Sequence, residues 1–278
     1  MNECYGKKFI LNGILQPSEM FDKSLVYEGE SIYEVLRMIK GSPVFFSDHM
    51  ERLATSVRLQ KKEFIASIPM LRKDIISLSR SDRKLDSNLK IVFNYNRGTS
   101  NYLVYNIESN YPTEIQYKNG VRGILYFGER KDPESKVINH RLRSSIYHRL
   151  INEKAYEALL VNEENLITEG SRSNIFFLKD DLLITAPDSL VLSGITRKHI
   201  LEICSEYGIK VDFSCVRADE ISKFDAVFMT GTSPMVLPFN MIDDVHFRVN
   251  YQIIERLRKL YATKAEESIT LFRSELKD

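Results

Sequence analysis

The chain has 278 residues, 43% of them hydrophobic and 28% charged, an ordinary globular composition with room for one large domain or two smaller ones. Its 39 lysines and arginines balance 38 aspartates and glutamates, which argues against bulk binding to nucleic acid or an anionic membrane surface. No apolar run approaches the roughly 18 residues of a membrane span, the N-terminus shows no secretory h-region, and Cys4, Cys204 and Cys215 are dispersed, with no CxxC pair or Cys/His cluster. The expectation is a reduced, cytoplasmic, enzyme-sized protein with neither a metal site nor a disulfide framework.

The opening segment predicts a hairpin. Phe9-Ile10-Leu11 and Ile14-Leu15 flank Asn12-Gly13, the dipeptide that best tolerates positive φ at both turn positions. A second hairpin is expected from strand Ser31–Ile39, a turn over Lys40–Pro43 and strand Val44–Phe46. A helix follows from Ser47 or Asp48, where Asp48 and Glu51 have capping-box spacing and Met50, Leu53 and Val57 form an apolar stripe. Another helix is expected near 68–80. Strands Leu89–Asn94 and Asn101–Ile107 then pair around Asn96-Arg97-Gly98. The stretch Glu108–Gly120 is polar, contains Pro112 and lacks periodicity. The predicted boundaries are an N-terminal domain over 1–112, a linker at 113–119 and a C-terminal domain over 120–278.

The second half begins with strand Val121–Phe127 and a polar loop over 128–135. A helix is expected over Leu142–Glu157. Short strands follow at Ala158–Val161, Leu166–Thr168, Asn174–Leu178 and Leu182–Thr185. A helix starts at Gly194-Ile195-Thr196 and ends near Gly208, a C′ glycine. Ile209, Val211 and Phe213 alternate as a strand, Ala226–Met229 form another, and Asn250–Glu266 is an amphipathic tail. Helices and hairpins are mixed throughout, which predicts an α+β architecture in two domains.

Two segments are suited to an anion. In Ser193-Gly194-Ile195-Thr196-Arg197 a glycine opens a helix whose first N–H groups are unpaired and whose dipole adds positive character. Thr230-Gly231-Thr232-Ser233 is a hydroxyl-rich turn just after a strand. Taken singly, each is more often a cap or a turn than a site. Neither fits the GxxxxGK[ST] phosphate loop, which disfavours a nucleoside triphosphatase. Thr168-Glu169-Gly170-Ser171-Arg172-Ser173-Asn174 is an uninterrupted polar run between two strands, a solvated loop on its own merits, and no GxSxG elbow is present. The five histidines, at 49, 140, 148, 199 and 246, form no HExxH motif.

Together, in this order and spacing, the segments resemble the class IV, or fold-type IV, pyridoxal-phosphate enzymes. That group holds branched-chain aminotransferases, D-amino-acid aminotransferases and aminodeoxychorismate lyases. The resemblance runs from Tyr33-Glu34-Val35-Leu36-Arg37 through Asp48-His49-Met50-Glu51-Arg52-Leu53, Lys136-Val137-Ile138-Asn139 and Tyr156-Glu157-Ala158-Leu159-Leu160. It continues in Thr168–Asn174 and Leu192–Arg197 and closes with Thr230–Ser233. It implies a smaller N-terminal α/β domain, a larger C-terminal domain, pyridoxal 5′-phosphate in the interdomain cleft, and a homodimer in which the partner's N-terminal domain helps to close the site. By resemblance, Lys136 matches the lysine that forms the Schiff base with the cofactor. Nothing else singles it out, since a lysine in a polar loop is normally solvated and protonated. Glu169 matches the carboxylate on the pyridine nitrogen, where an anion keeps the ring protonated and electron-withdrawing. Arg52, Ile195, Thr196 and Thr232 match contacts to the cofactor phosphate, and Ser173 and Asn174 belong to the same cofactor-binding motif.

The substrate side follows the same resemblance. Tyr33, Val35 and Arg37 align with the pocket-lining strand, Ser233 with the turn beside it, and Lys90 with a carboxylate-binding cation of relatives. The Tyr-x-Arg pattern of branched-chain enzymes is absent around Lys90, and Asn101-Tyr102-Leu103-Val104 replaces the Arg-x-His motif of D-amino-acid enzymes. Leu89-Lys90-Ile91 is close to the Leu-Lys-Val strand of the lyases, yet Val35 stands where they commonly place a threonine. The expected activity is amino transfer between an amino acid, branched-chain-like or D, and a 2-oxo acid. Aminodeoxychorismate lyase, which eliminates pyruvate to leave 4-aminobenzoate, is the alternative. A cofactor-binding protein without turnover is disfavoured because Lys136 and Glu169 are both present. A plain α+β interaction domain is the remaining reading.

Overall fold

The computed structural model describes residues 3–83, 85–130 and 133–276; the side chain of His140 and residues 131–132 of the polar loop lie outside the description. The chain divides into two compact units. One comprises the residues up to 110 together with 135–138 and those from 265 onward, and the other comprises 111–134 and 139–264.

The first unit opens with β1 (Lys8–Leu11) and β2 (Ile14–Pro17). Asn12 and Gly13 between them both have positive φ, 50° and 81°, as the tight hairpin requires. Then come α1 (Ser24–Tyr27), β3 (Glu30–Ile39), β4 (Ser42–Pro43), α2 (Phe46–Leu59), α3 (Ile68–Asp82), β5 (Ser87–Asn96) and β6 (Thr99–Ile107). The strands form an antiparallel sheet in the order β2-β1-β6-β5-β3-β4. Side chains alternate along β3. Ile32, Leu36 and Met38 pack with Met50 and Leu53 of α2 and Leu71, Ile75 and Leu78 of α3. Tyr33 and Val35 face the other way, with Val92, Leu103 and Tyr105.

Two expectations fail here. Val44–Phe46 is not a strand, because Phe45 takes a left-handed conformation (φ 50°) and Phe46 already opens α2. Tertiary contacts account for the change. Phe45 N–H donates to the Ser268 hydroxyl at 3.1 Å, and the Phe46 ring packs edge-on against Phe272 at 5.2 Å. With the helix starting one or two residues early, at Phe46 with Phe45 as its N-cap, Asp48 lies inside its first turn and the Asp48/Glu51 box does not form. The helix near 68–80 is present as α3, capped by Ser67 accepting from Met70 N–H.

The second unit holds α4 (Glu114–Asn119), β7 (Val121–Phe127), α5 (His140–Asn152), β8 (Glu157–Val161), β9 (Leu166–Gly170), β10 (Asn174–Lys179), β11 (Leu182–Thr185) and α6 (Ile195–Glu206). It continues with β12 (Val211–Phe213), β13 (Val216–Arg217), β14 (Ala226–Gly231), β15 (Met235–Ile242), β16 (Val245–His246) and α7 (Gln252–Ser274), whose last turns belong to the first unit. The sheet runs β12-β11-β10-β14-β15-β7-β8-β9-β13, with β16 paired to β15. β7 is parallel to β8 and β15, and β11 is parallel to β12; the other pairs are antiparallel.

Residues 113–119, expected as a linker, instead carry α4, held by a capping box between Thr113 and Gln116. The helix expected over 142–157 ends at Asn152. Lys154 turns left-handed (φ 51°), and Glu157 is drawn into β8, which pairs with β7. β15 was hidden by Pro238, a residue rare inside central strands, and the strand is irregular between Phe239 and Met241.

Candidate active site

In the first unit, residues 135–138 lie along the open edge of β3. Tyr33 N–H donates to the Lys136 carbonyl at 3.0 Å and Ile138 N–H to the Ser31 carbonyl at 3.0 Å, while Val137 bridges to Ile32. Lys136 N–H donates to the Ser56 hydroxyl of α2 at 3.2 Å. The backbone of Lys136 is thus fixed on both sides, and its ammonium sits over the Tyr33 ring, 4.9 Å from the centroid. Tyr33, Val35 and Arg37 alternate onto one face of β3, and Val35 is in register with Lys90 on β5. The Lys90 ammonium lies 5.3 Å from the Tyr33 centroid and 5.7 Å from that of Tyr105. Lys136, Tyr33, Val35 and Lys90, singled out by motif, therefore come together, with Arg37 further along the same face.

On the other face of β3, Glu34 is fully buried. Arg52 donates from Nε to Glu34 Oε1 at 2.8 Å and from Nη2 to Oε2 at 2.7 Å, a bidentate pair. His49 Nδ1 is 2.8 Å from Glu34 Oε2. Burial works against the Glu34 charge, but Arg52 and His49 outweigh it and hold the carboxyl far below its usual range. Burial, with the positive charges of Arg52 and Lys136, pushes His49 below its ordinary value despite Glu34. An ionised carboxylate only accepts, so neutral His49 carries its hydrogen on Nδ1. The Arg52 side chain is 10% accessible, and its orientation is set by Glu34. Glu34 escaped the reading of site residues. Its signal is a carboxylate at an inward, period-2 position between Ile32 and Leu36, where a charge persists only if paired.

In the second unit, Glu169 is the penultimate residue of β9 and not part of a solvated loop; the turn that follows is only Ser171–Ser173. The Glu169 side chain is buried, with Oε1 3.1 Å from Arg130 Nε and Oε2 accepting from Leu192 N–H at 3.2 Å. Arg130 also donates to the Ser171 carbonyl at 3.3 Å. Its role was not legible in a charged loop with no periodicity. Buried Glu157 ties the same turn down, accepting from the hydroxyls of Ser171 and Ser173. Ser173 thus spends its hydroxyl on Glu157, and Asn174 donates to the Leu192 carbonyl at 2.8 Å.

Asn174 Oδ1 lies against Gly194, where a Cβ would come within 2.0 Å of it, so only glycine allows this approach. Gly194 precedes α6, whose start no side chain caps. Ile195 and Thr196 form its first turn, both buried, and the Thr196 hydroxyl is 3.1 Å from that of Tyr261. At the end of β14 the Thr230 hydroxyl is buried with no hydrogen-bond partner among the described residues. Thr232 and Ser233 are half-buried in the turn joining β14 to β15. An uncapped helix start, a glycine in contact and an unpartnered buried hydroxyl form a donor set that fits a phosphate. Among the described residues no group of three His, Cys, Asp or Glu side chains could hold a metal ion, and no helix is long and apolar enough to cross a membrane.

A sequence profile of the family described as amino-transferase class IV matches residues 31–242. The chain is 30% identical over 240 residues to a D-alanine aminotransferase of Bacillus licheniformis, covering 77% of this chain and 80% of that protein. It is 22% identical over 250 residues to the aminodeoxychorismate lyase of Bacillus subtilis (strain 168), covering 85% and 84%. Among solved structures, a branched-chain amino acid aminotransferase of T.th. with pyridoxamine 5′-phosphate superposes with a TM-score of 0.83 at 23% identity, covering 95% of this chain and 96% of that one.

Proposed function

The chain belongs to the class IV aminotransferases, a family of pyridoxal-phosphate enzymes, and on that premise we propose that it moves an amino group between an amino acid, branched-chain-like or D, and a 2-oxo acid. The observation that carries this reading is the fixed placement of Lys136, tied at N–H and carbonyl and with its ammonium over Tyr33. When bound, pyridoxal phosphate supplies an electron sink that eases removal of the substrate's Cα proton. Lys136 is the amine that holds the cofactor aldehyde and, once displaced, takes the Cα proton at Nζ. Glu169 presents a carboxylate to the pyridine nitrogen and keeps its proton in place. Arg52, the Ile195 N–H, Thr196 and Thr232 hold the phosphate, Ser173 and Asn174 shape the ring site, and Tyr33, Val35, Arg37, Lys90 and Ser233 line the substrate side. The working form is a homodimer.

Lyase chemistry is the second reading, favoured by the buried Lys90 ammonium against the ring that Lys136 also uses. Aliphatic Val35 opposite Lys90 supports transamination. Borohydride reduction and peptide mapping test the assignment, with the pyridoxyl adduct expected on Lys136; an adduct on another lysine overturns it. A panel of L- and D-amino acids with 2-oxoglutarate and pyruvate tests the activity. Turnover of aminodeoxychorismate without response to any simple amino acid would leave the lyase standing.

A further inference from the structure

Lys90, the cation expected to receive a substrate carboxylate, already holds one. Its Nζ is 2.6 Å from Glu3 Oε1, which also accepts from the Tyr105 hydroxyl at 2.9 Å, while Oε2 accepts from the Tyr27 hydroxyl. The Lys90 side chain is 4% accessible and that of Glu3 18%. Burial alone would raise the Glu3 carboxyl, but Lys90 and the two hydroxyls hold it below its ordinary value, so Glu3 is an ionised carboxylate against the Lys90 amine.

The position of this pair gives it consequence. Lys90 sits over the same Tyr33 ring as Lys136, on the face that also carries Val35 and Tyr105. The other cation of that β3 face, Arg37, is in register with Asn88, further along β5. Glu3 is also not a loose end. Cys4 beside it is buried, and Tyr5 N–H donates to the Asn106 carbonyl at 2.8 Å, which continues the chain along the sheet. A tethered carboxylate of this kind acts at an effective concentration in the millimolar range or above, so a free substrate carboxylate competes poorly for the same cation.

We propose that Glu3 is a specificity-determining residue: by occupying Lys90 it keeps a second substrate carboxylate off the wall beside Lys136, so that amino acids with uncharged side chains are favoured. The proposal rests on the reading of Lys136 as the cofactor lysine. A dicarboxylic substrate that reached this wall would have to displace Glu3 and leave a carboxylate without its cation, which is costly in a partly buried site. An aliphatic side chain finds ring faces and Val35 on this wall.

The test compares the cofactor-loaded wild type with Glu3→Gln, Glu3→Ala and the double variant Glu3→Gln/Lys90→Met. Two readouts are taken: the half-saturating concentrations of glutamate and norvaline, in whichever enantiomer reacts, and calorimetric binding of glutarate, a dicarboxylate with no amino group to react. Freeing Lys90 should improve glutamate relative to norvaline by about tenfold or more, the scale of a charge pair gained in a desolvated site. It should also create glutarate binding that the wild type lacks, and both gains should vanish in the double variant. Glu3→Ala supplies the answer if glutamine disturbs the packing around Tyr27. An unchanged preference in both single variants, or a gain that persists without Lys90, overturns the proposal. Failure of the underlying reading looks different: the wild type would then convert no amino acid, or carry its pyridoxyl adduct elsewhere.

Discussion

A carboxylate at position 169 is held by two donors of its own unit, Arg130 and the Leu192 N–H. Replacing it with glutamine keeps an acceptor for Leu192 and removes the charge. Glu169→Gln should therefore fold and retain cofactor, since shape and the backbone hydrogen bond from Leu192 are kept, with some loss of stability because Arg130 loses its charge partner. The rate of the half-reaction should nonetheless fall by about two or more powers of ten, each corresponding to ~1.4 kcal/mol of barrier, since the ring nitrogen loses the anion that favours its proton. Single-turnover kinetics at saturating amino acid measure this directly. A rate within a few-fold of wild type would remove Glu169 from the ring. The Lys90 ammonium is engaged by Glu3, and the Lys136 ammonium lies over the Tyr33 ring.

At the scale of elements, α6 is the anion-binding candidate whose geometry is most constrained. Its start lacks a side-chain cap, and Gly194 permits Asn174 to lie against it. Gly194 itself has an ordinary extended backbone (φ −67°, ψ 134°), so alanine there meets no conformational strain. The obstacle is contact: the new methyl would strike Asn174 Oδ1, whose amide is fixed on the Leu192 carbonyl. Gly194→Ala should therefore displace Asn174 and narrow the helix start. Cofactor affinity, read by titration after dialysis, should drop by about tenfold or more, equivalent to losing a hydrogen bond or two of ~1 kcal/mol each. Far-UV circular dichroism should stay unchanged. Retained affinity would show that this helix start does not carry the phosphate.

For the whole molecule, the buried Glu34–Arg52–His49 cluster links stability to acidity. Both Glu34 and His49 titrate below their ordinary values of 4.5 and 6.5 in the folded chain. The unfolded chain therefore binds more protons as pH falls, and stability rises with pH over this range. Denaturation midpoints should decline as pH drops below about 6.5 and more steeply below about 4.5. Glu34→Gln should cost about 3 kcal/mol near neutrality, because Arg52 is left partly buried without its charge partner, and it should flatten the steep acid limb. Chemical denaturation between pH 3 and 8, at about one-unit intervals, checks both effects. An acid limb of unchanged steepness in Glu34→Gln would place the titrating groups elsewhere.

Much of this protein was legible in one dimension. The hairpin at Asn12-Gly13, the paired strands around Arg97-Gly98, the helix opening at Gly194 and the amphipathic tail follow from local rules, because φ preferences, capping and hydrophobic period act within a few residues. The motif order pointed to the family, and the profile over residues 31–242 bears it out. What the sequence could not determine depends on partners distant along the chain. Phe45 leaves the strand for a left-handed turn and Phe46 for the start of a helix because Ser268 and Phe272 meet them from more than 200 residues away. Pro238 concealed a strand whose pairing comes from β14 and β7. Glu3 reaches Lys90 across 87 positions, and Glu34 reaches Arg52 across 18. A charged residue in a sequence is solvated until something is shown beside it, and only tertiary packing decides which carboxylate removes which cation from water.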